Sequence, residues 1–339
     1  MFTLAYLAYD GESSTDPHVV MRELLNDLAN VKPLQGQWQL VWGPTLYRLP
    51  LAILDDNMWY VARNTVTGEY AIGIRGTNFD AILDWIVEDF WITSQTAWPY
   101  ANVPGASTSS GTAFAINKLL TVTPNAGIPG AGQTLTQFLG TQASRNSITV
   151  TVAGHSLGGC LSSTLALALM DTVRQWGQGF PIKFRSWSFA GPTAGNSAFA
   201  GYTNQRLGNA LHRWVNTLDI APLAWNESTL DAALTIYADY GVLPSWAEIG
   251  ALGLAKALAA YGDYTQPSQG TVTRNGSFSI TATGYAAQAD WQHTQGYAAI
   301  LGLSNVLPHK SSTVNLERTV ARLEAMRRRP RIAVAPRPA

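Results

Sequence analysis

The sequence feature that most constrains the fold is an abrupt passage from a β-branched strand into a long apolar helix. Ile148-Thr149-Val150-Thr151-Val152-Ala153 runs directly into Gly154-His155-Ser156-Leu157-Gly158-Gly159, and Leu157 through Gln175 then reads as one buried helix. With no linker, the helix must start almost on top of the strand, so only small residues fit two positions before and after the serine. Gly154 and Gly158 meet that demand, and Gly159 relieves crowding one step further. Such a turn projects the serine hydroxyl above the sheet edge and aims the helix N-terminus at whatever reacts there. The bland alternative is a Gly/Ser-rich loop that packs a helix onto a strand. Cys160 reads as a small core residue, and His155 as a packing or hydrogen-bonding residue.

The rest of the chain alternates in the same way. Residues 19–29 read as an amphipathic helix, and 58–63 with 70–75 as strands joined through Thr67-Gly68. Helices are expected at 113–121 and 133–142, a strand at 184–190, a helix near 197–207 and a strand at 211–216. Helices follow around 229–240 and 246–261, then a hairpin-like stretch at 270–282, then helices at 294–303 and 313–328. Strands alternating with helices predict an α/β fold, a largely parallel sheet covered on both faces. One domain is expected over 1–326, with a Pro/Arg-rich, disordered tail at 327–339.

Formal net charge is +0, but five Arg and no acid lie from Arg327 onward, leaving −5 on residues 1–326. A mildly acidic body argues against a nucleic-acid partner. The single cysteine excludes an internal disulfide and any Cys-rich zinc site, and neither metal nor cofactor is expected. The first ten residues are apolar but lack a basic start and meet Asp10 too soon for a signal-peptide core. No stretch reaches the roughly 18 uncharged apolar residues of a membrane span. Compartment and oligomeric state are not legible.

A serine hydroxyl becomes a nucleophile when a neutral imidazole takes its proton and a carboxylate fixes the tautomer. On this kind of turn the chain order is serine, acid, histidine. Of the histidines after Ser156, His212 lies inside a strand, His309 in a polar loop, and His293 in a loop before an apolar helix, which makes His293 the best base. Asp219 follows the strand 211–216, where α/β sites gather. Its rival Asp290 is nearly adjacent to the base; Asp171, Asp231 and Asp239 lie on helices. The backbone N–H of Leu157 is the first oxyanion donor expected, and Thr77, in the turn ending Ile72-Gly73-Ile74-Arg75-Gly76, the second. In the following segment, about 78–100, Ile82, Trp85, Ile86 and Phe90 share a helical face. That face is either a core helix or a mobile lid over a substrate pocket.

These motifs together resemble the fungal-type triacylglycerol lipase family (lipase class 3). They are Ile74-Arg75-Gly76-Thr77, Asp84-Trp85-Ile86-Val87-Glu88-Asp89, the Gly154–Gly159 turn and Phe189-Ala190-Gly191-Pro192-Thr193-Ala194-Gly195-Asn196. Arg213 through Pro222, and His293 with Tyr297, complete the set. The resemblance spans roughly residues 55–300 and implies an α/β-hydrolase fold with a helical lid. It implies a Ser156, Asp219 and His293 triad with Thr77 and Leu157 as oxyanion donors, and hydrolysis of triacylglycerols or other lipid esters, at a lipid–water interface. A short-chain or feruloyl-type esterase, a phospholipase A1 and an acyltransferase on the same site are the alternatives. Residues 223–285 match no motif.

Overall fold

The computed structural model describes residues 1–12, 14–47, 57–76, 92–177, 179–260 and 262–307. The helices are α1 (Phe2–Leu7), α2 (Pro17–Asn30), α3 (Ser110–Thr121), α4 (Leu135–Ala143), α5 (Leu157–Trp176), α6 (Ser197–Leu207), α7 (Glu227–Ala233), α8 (Trp246–Ala259), α9 (Tyr285–His293) and α10 (Gln295–Ile300). The strands are β1 (Trp38–Tyr47), β2 (Asn57–Asn64), β3 (Tyr70–Arg75), β4 (Gln95–Ala97), β5 (Ser107–Ser109), β6 (Ile148–His155), β7 (Ile182–Phe189), β8 (Leu211–Asn216) and β9 (Thr271–Arg274). Seven form one sheet in the order β1-β2-β3-β6-β7-β8-β9, and β4 pairs with β5 apart from it. The pairings of β2 with β1 and β3 are antiparallel, and every pairing from β3 to β9 is parallel.

Both faces of the sheet are covered, as the alternation of elements predicts, and the pleat decides which side chain goes where. Trp59 and Val61 of β2 pack with Ile72, Val152 and α5. Met58, Tyr60 and Ala62, one position out of step, pack with α1, α2 and Tyr297 on the other face. The parallel register sets Arg75 opposite His155 and His155 opposite Phe189, so β3, β6 and β7 end level. β8 pairs Trp214 with Phe189 and runs on to Asn216. This edge is where loops carrying chemistry collect in parallel sheets.

Several elements differ from the sequence expectation. Only Thr271–Arg274 of the expected hairpin is a strand, and it lies parallel to β8 at the sheet edge. The returning backbone is captured by α9 instead: Gln292 Nε2 donates to the Ser277 carbonyl, and Gln288 Nε2 to that of Ala282. The helix expected to reach 240 stops at Ala233, and Tyr237 turns inward so that its hydroxyl donates to the Leu218 carbonyl. The sequence reading assigned neither α1 nor β1; the register of β1 with β2 is irregular on either side of Trp42, next to Gly43-Pro44. The expected helix 313–328, the tail 327–339 and His309 lie outside the described residues. Among the described residues, no helix is long and apolar enough to cross a membrane.

Candidate active site

Ser156 sits between β6 and α5 with φ 60° and ψ −130°, a conformation that a side chain disfavours. The crowding that forces it is visible in the glycines. A β-carbon on Gly154 would overlap the Gly158 carbonyl, and one on Gly158 would overlap the Ile74 carbonyl. One on Gly159 would strike the Phe189 carbonyl, and one on Gly76 the Leu157 side chain. The ends of β3 and β7 and the start of α5 are thus pressed against the serine turn. The Ser156 N–H donates to the Phe189 carbonyl at 2.9 Å, while its Oγ is buried with no hydrogen-bond partner.

His293 is buried as the last residue of α9, not in a loop as its sequence context suggested. The helix expected at 294–303 is α10, Gln295–Ile300, set off from α9 at Thr294, whose Oγ1 donates to the Asp290 carbonyl. His293 Nδ1 lies 3.2 Å from each carboxylate oxygen of Asp219. A proton on Nδ1 satisfies that contact and leaves Nε2 as a lone-pair acceptor. That Nε2 is buried and without a partner, as is the serine hydroxyl. The two are not hydrogen-bonded to each other in this state, a looseness common before substrate binds.

Asp219 is 1% exposed, and its oxygens are fully engaged. Oδ1 accepts the Ala221 N–H at 3.0 Å, and Oδ2 accepts the Tyr297 hydroxyl at 2.9 Å. Burial, then the Asp219 charge, push the Tyr297 hydroxyl well above the ordinary tyrosine range, so it stays a donor. Tyr297 oxygen in turn accepts the Asn216 N–H at 3.1 Å. The Asn216 side chain donates to the Gln292 carbonyl at 3.0 Å and to its Oε1 at 2.8 Å. The end of β8 therefore holds both Asp219 and the helix that carries the His293 ring. Periodicity gave no sign of the roles of Asn216 and Gln292.

The other candidates lie elsewhere. Asp290 does not bond the His293 ring, and burial raises its carboxyl. Asp171 accepts from Trp98, Tyr202 and Arg206, and Asp231 pairs with Lys256. His212 packs against Trp187, its ring tilted by 32° at a centroid distance of 4.5 Å. Leu157 opens α5, so its N–H belongs to the first turn, where helices lack internal acceptors. Thr77, Ile82, Trp85, Ile86 and Phe90 lie outside the described residues. The far end of the expected lid is packed: Ile92 and Trp98 are buried, Gln95–Ala97 is a strand, and Trp98 packs on Phe199 at 5.0 Å.

His155, beside the serine, points away from it. Its Nε2 meets the His293 carbonyl at 2.6 Å, and its own carbonyl accepts the Tyr9 hydroxyl at 3.1 Å. Phe2, Tyr9, His293 and Tyr297 crowd its ring at centroid distances of 6.2, 6.0, 4.6 and 5.7 Å. Burial, reinforced by the His293 ring, pushes His155 well below the ordinary histidine value of 6.5. The unfolded chain, whose ring titrates normally, therefore takes up a proton on acidification that the native protein refuses. The resulting stability is full above the unfolded value and is lost as pH falls below it. Urea melts at about pH 7 and about pH 5 should show a smaller loss of stability on acidification in His155→Gln than in wild type; identical pH slopes would refute it.

A seven-stranded, mostly parallel sheet with helices on both faces, and a serine at a cramped strand-to-helix turn on its carboxyl edge, define the α/β-hydrolase fold. The sequence profile described as Lipase (class 3) matches residues 71–228. The crystal structure of M37 lipase superposes with a TM-score of 0.85 at 34% identity, covering 91% of this chain and 94% of that one. A secreted mono- and diacylglycerol lipase, MDL2 of Malassezia globosa, is 36% identical over 78 residues, which is 23% of this chain and 24% of that protein. The chain spans about a quarter of that curated relative. It belongs to the lipase (class 3) family.

Proposed function

We propose that the protein hydrolyses carboxylic esters of lipids, triacylglycerols first among them, through a Ser156–His293–Asp219 triad and an acyl-enzyme. The observation that carries this reading is the buried Asp219–His293 pair, whose Nε2 is left without a partner, as is the Ser156 hydroxyl, and whose backbone carbonyl meets His155, the residue next to Ser156. Ser156 Oγ attacks the ester carbonyl as His293 Nε2 takes its proton. The tetrahedral oxyanion is received by the Leu157 N–H and by Thr77. Collapse breaks the C–O bond to the alcohol, which leaves with the proton from Nε2. Water then repeats the attack: its proton passes to His293, its oxygen bonds the acyl carbon, and Ser156 recovers its hydrogen as the acid departs.

A lipid substrate is supported by the surface beyond the acid loop. α7 and α8 are tied to that loop through Tyr237, and Tyr285, at the start of the His293 helix, donates to the Ala233 carbonyl. Trp246 is 88% exposed there, with Leu243 at 66% and Leu254 at 49%. The two charges on α8 are already engaged, Glu248 with Ser245 and Lys256 with Asp231. Large exposed apolar side chains such as these suit an aggregate better than bulk water. A p-nitrophenyl ester series of increasing chain length, alongside a triacylglycerol emulsion, tests the proposal. Turnover of long-chain esters and of the emulsion is expected. Hydrolysis restricted to short soluble esters would sink the lipid part, and ester product formed from an added alcohol in preference to free acid would indicate an acyltransferase.

A further inference from the structure

We infer that His155 is a positioning residue: its ring holds the carbonyl of His293 and so ties the base to the strand that carries the nucleophile. The inference rests on reading Ser156 and His293 as nucleophile and base. The two stand 137 positions apart in sequence, and the Asp219 contact fixes only where the imidazole points. Nothing in that contact sets how far the end of α9 stands from the serine turn. His155 does, because it is covalently next to Ser156 and its Nε2 lies 2.6 Å from the His293 carbonyl.

The chemistry of both partners favours a lasting bond. A carbonyl in the last turn of a helix has no intrahelical donor, and a buried one without a partner is costly. An imidazole facing a carbonyl must present N–H, so the proton sits on Nε2. Burial keeps that ring neutral. Four surrounding rings hold its plane, and the Tyr9 hydroxyl bonds the His155 carbonyl, so backbone and side chain are both anchored. Two of these neighbours, Phe2 and Tyr9, lie in and just beyond α1, which places the N-terminal helix under the turn. Leucine or phenylalanine at 155 can fill the space but cannot hold the carbonyl. Glutamine can supply an N–H from a similar distance.

The test compares His155→Phe, His155→Leu and His155→Gln with wild type on a soluble p-nitrophenyl ester, with fluorophosphonate labelling rates and melting temperatures measured in parallel. The two variants without a donor should lose about 10- to 100-fold in kcat and in labelling rate, the scale set by a misplacement of about 1 Å. Their KM should stay within about twofold, because ester binding does not involve this bond. His155→Gln should recover most of the rate, to within about threefold of wild type. A general packing role would instead follow side-chain volume and melting temperature, with glutamine no better than leucine. If either donor-free variant folds and reacts at the wild-type rate, or if glutamine fails to rescue, the inference falls. Ser156→Ala separates the two levels: labelling that survives it overturns the catalytic reading, whereas its loss beside a fully active His155→Leu overturns only the tether.

Discussion

Ser156→Ala should lower kcat on a soluble ester by about 10^6-fold and abolish fluorophosphonate labelling, leaving the protein folded. The size of the loss follows from the single covalent bond that the proposed route makes to the protein. Without Oγ, His293 and the oxyanion donors can only assist direct attack by water, a residual worth about 10^3 to 10^4 over solution. Stability should not suffer. The Ser156 hydroxyl is buried without a hydrogen-bond partner, so its removal breaks no bond and ends the desolvation of an unmatched polar group. A melting temperature equal to wild type or slightly higher is therefore the companion result. Retention of more than about a thousandth of the wild-type rate would mean another group attacks the ester.

Asp219→Asn should cost about 10^4 in kcat, more than loss of one charge would suggest. Asp219 takes hydrogen bonds from His293 Nδ1, Ala221 N–H and the Tyr297 hydroxyl. Asparagine keeps one acceptor oxygen and replaces the other with a donor. If its NH2 faces Ala221, two donors collide. If it faces Tyr297 and His293, the imidazole must turn its lone pair to Nδ1 and move its proton to Nε2, where it can no longer accept from Ser156. Either arrangement disables the base without displacing it. Asp290→Asn, which removes the carboxylate nearest His293 in sequence, should leave kcat within about threefold, since that carboxylate does not bond the ring. An Asp219→Asn rate above about 1% of wild type, or a large loss in Asp290→Asn, would reassign the acid.

The parts of this molecule that could be read from sequence are those whose constraint is local. The β-branched run before Gly154 and the apolar run after Leu157 fix β6 and α5 to within a residue or two. The glycines around Ser156 are demanded by backbone contacts within a few residues or to neighbouring strand ends. Asp219 could be placed because it follows a recognisable strand at the sheet's carboxyl edge. Chain order and family resemblance then supplied His293. What sequence did not show depends on contacts between distant elements. His293 ends a helix whose preceding residue, Gln292, is held at its backbone by Asn216, 76 residues before it. Residues 277–282 lose their pairing to glutamine amides of α9, which no strand propensity reports. Helix α1 contributes to the site through single rings, Phe2 beside His155, and six residues carry no usable period.

If Ser156 is the nucleophile proposed above, the backbone angles at position 156 also limit how thermally robust this protein can be while it remains active. At φ 60° and ψ −130°, a serine or an alanine carries torsional energy of about 1–3 kcal/mol that a glycine would not. The most stable residue for that corner is thus one with no hydroxyl at all. Evolution toward a hotter habitat would have to reinforce the walls around it, at β3, β7 and α1, because the corner itself offers no improvement compatible with turnover.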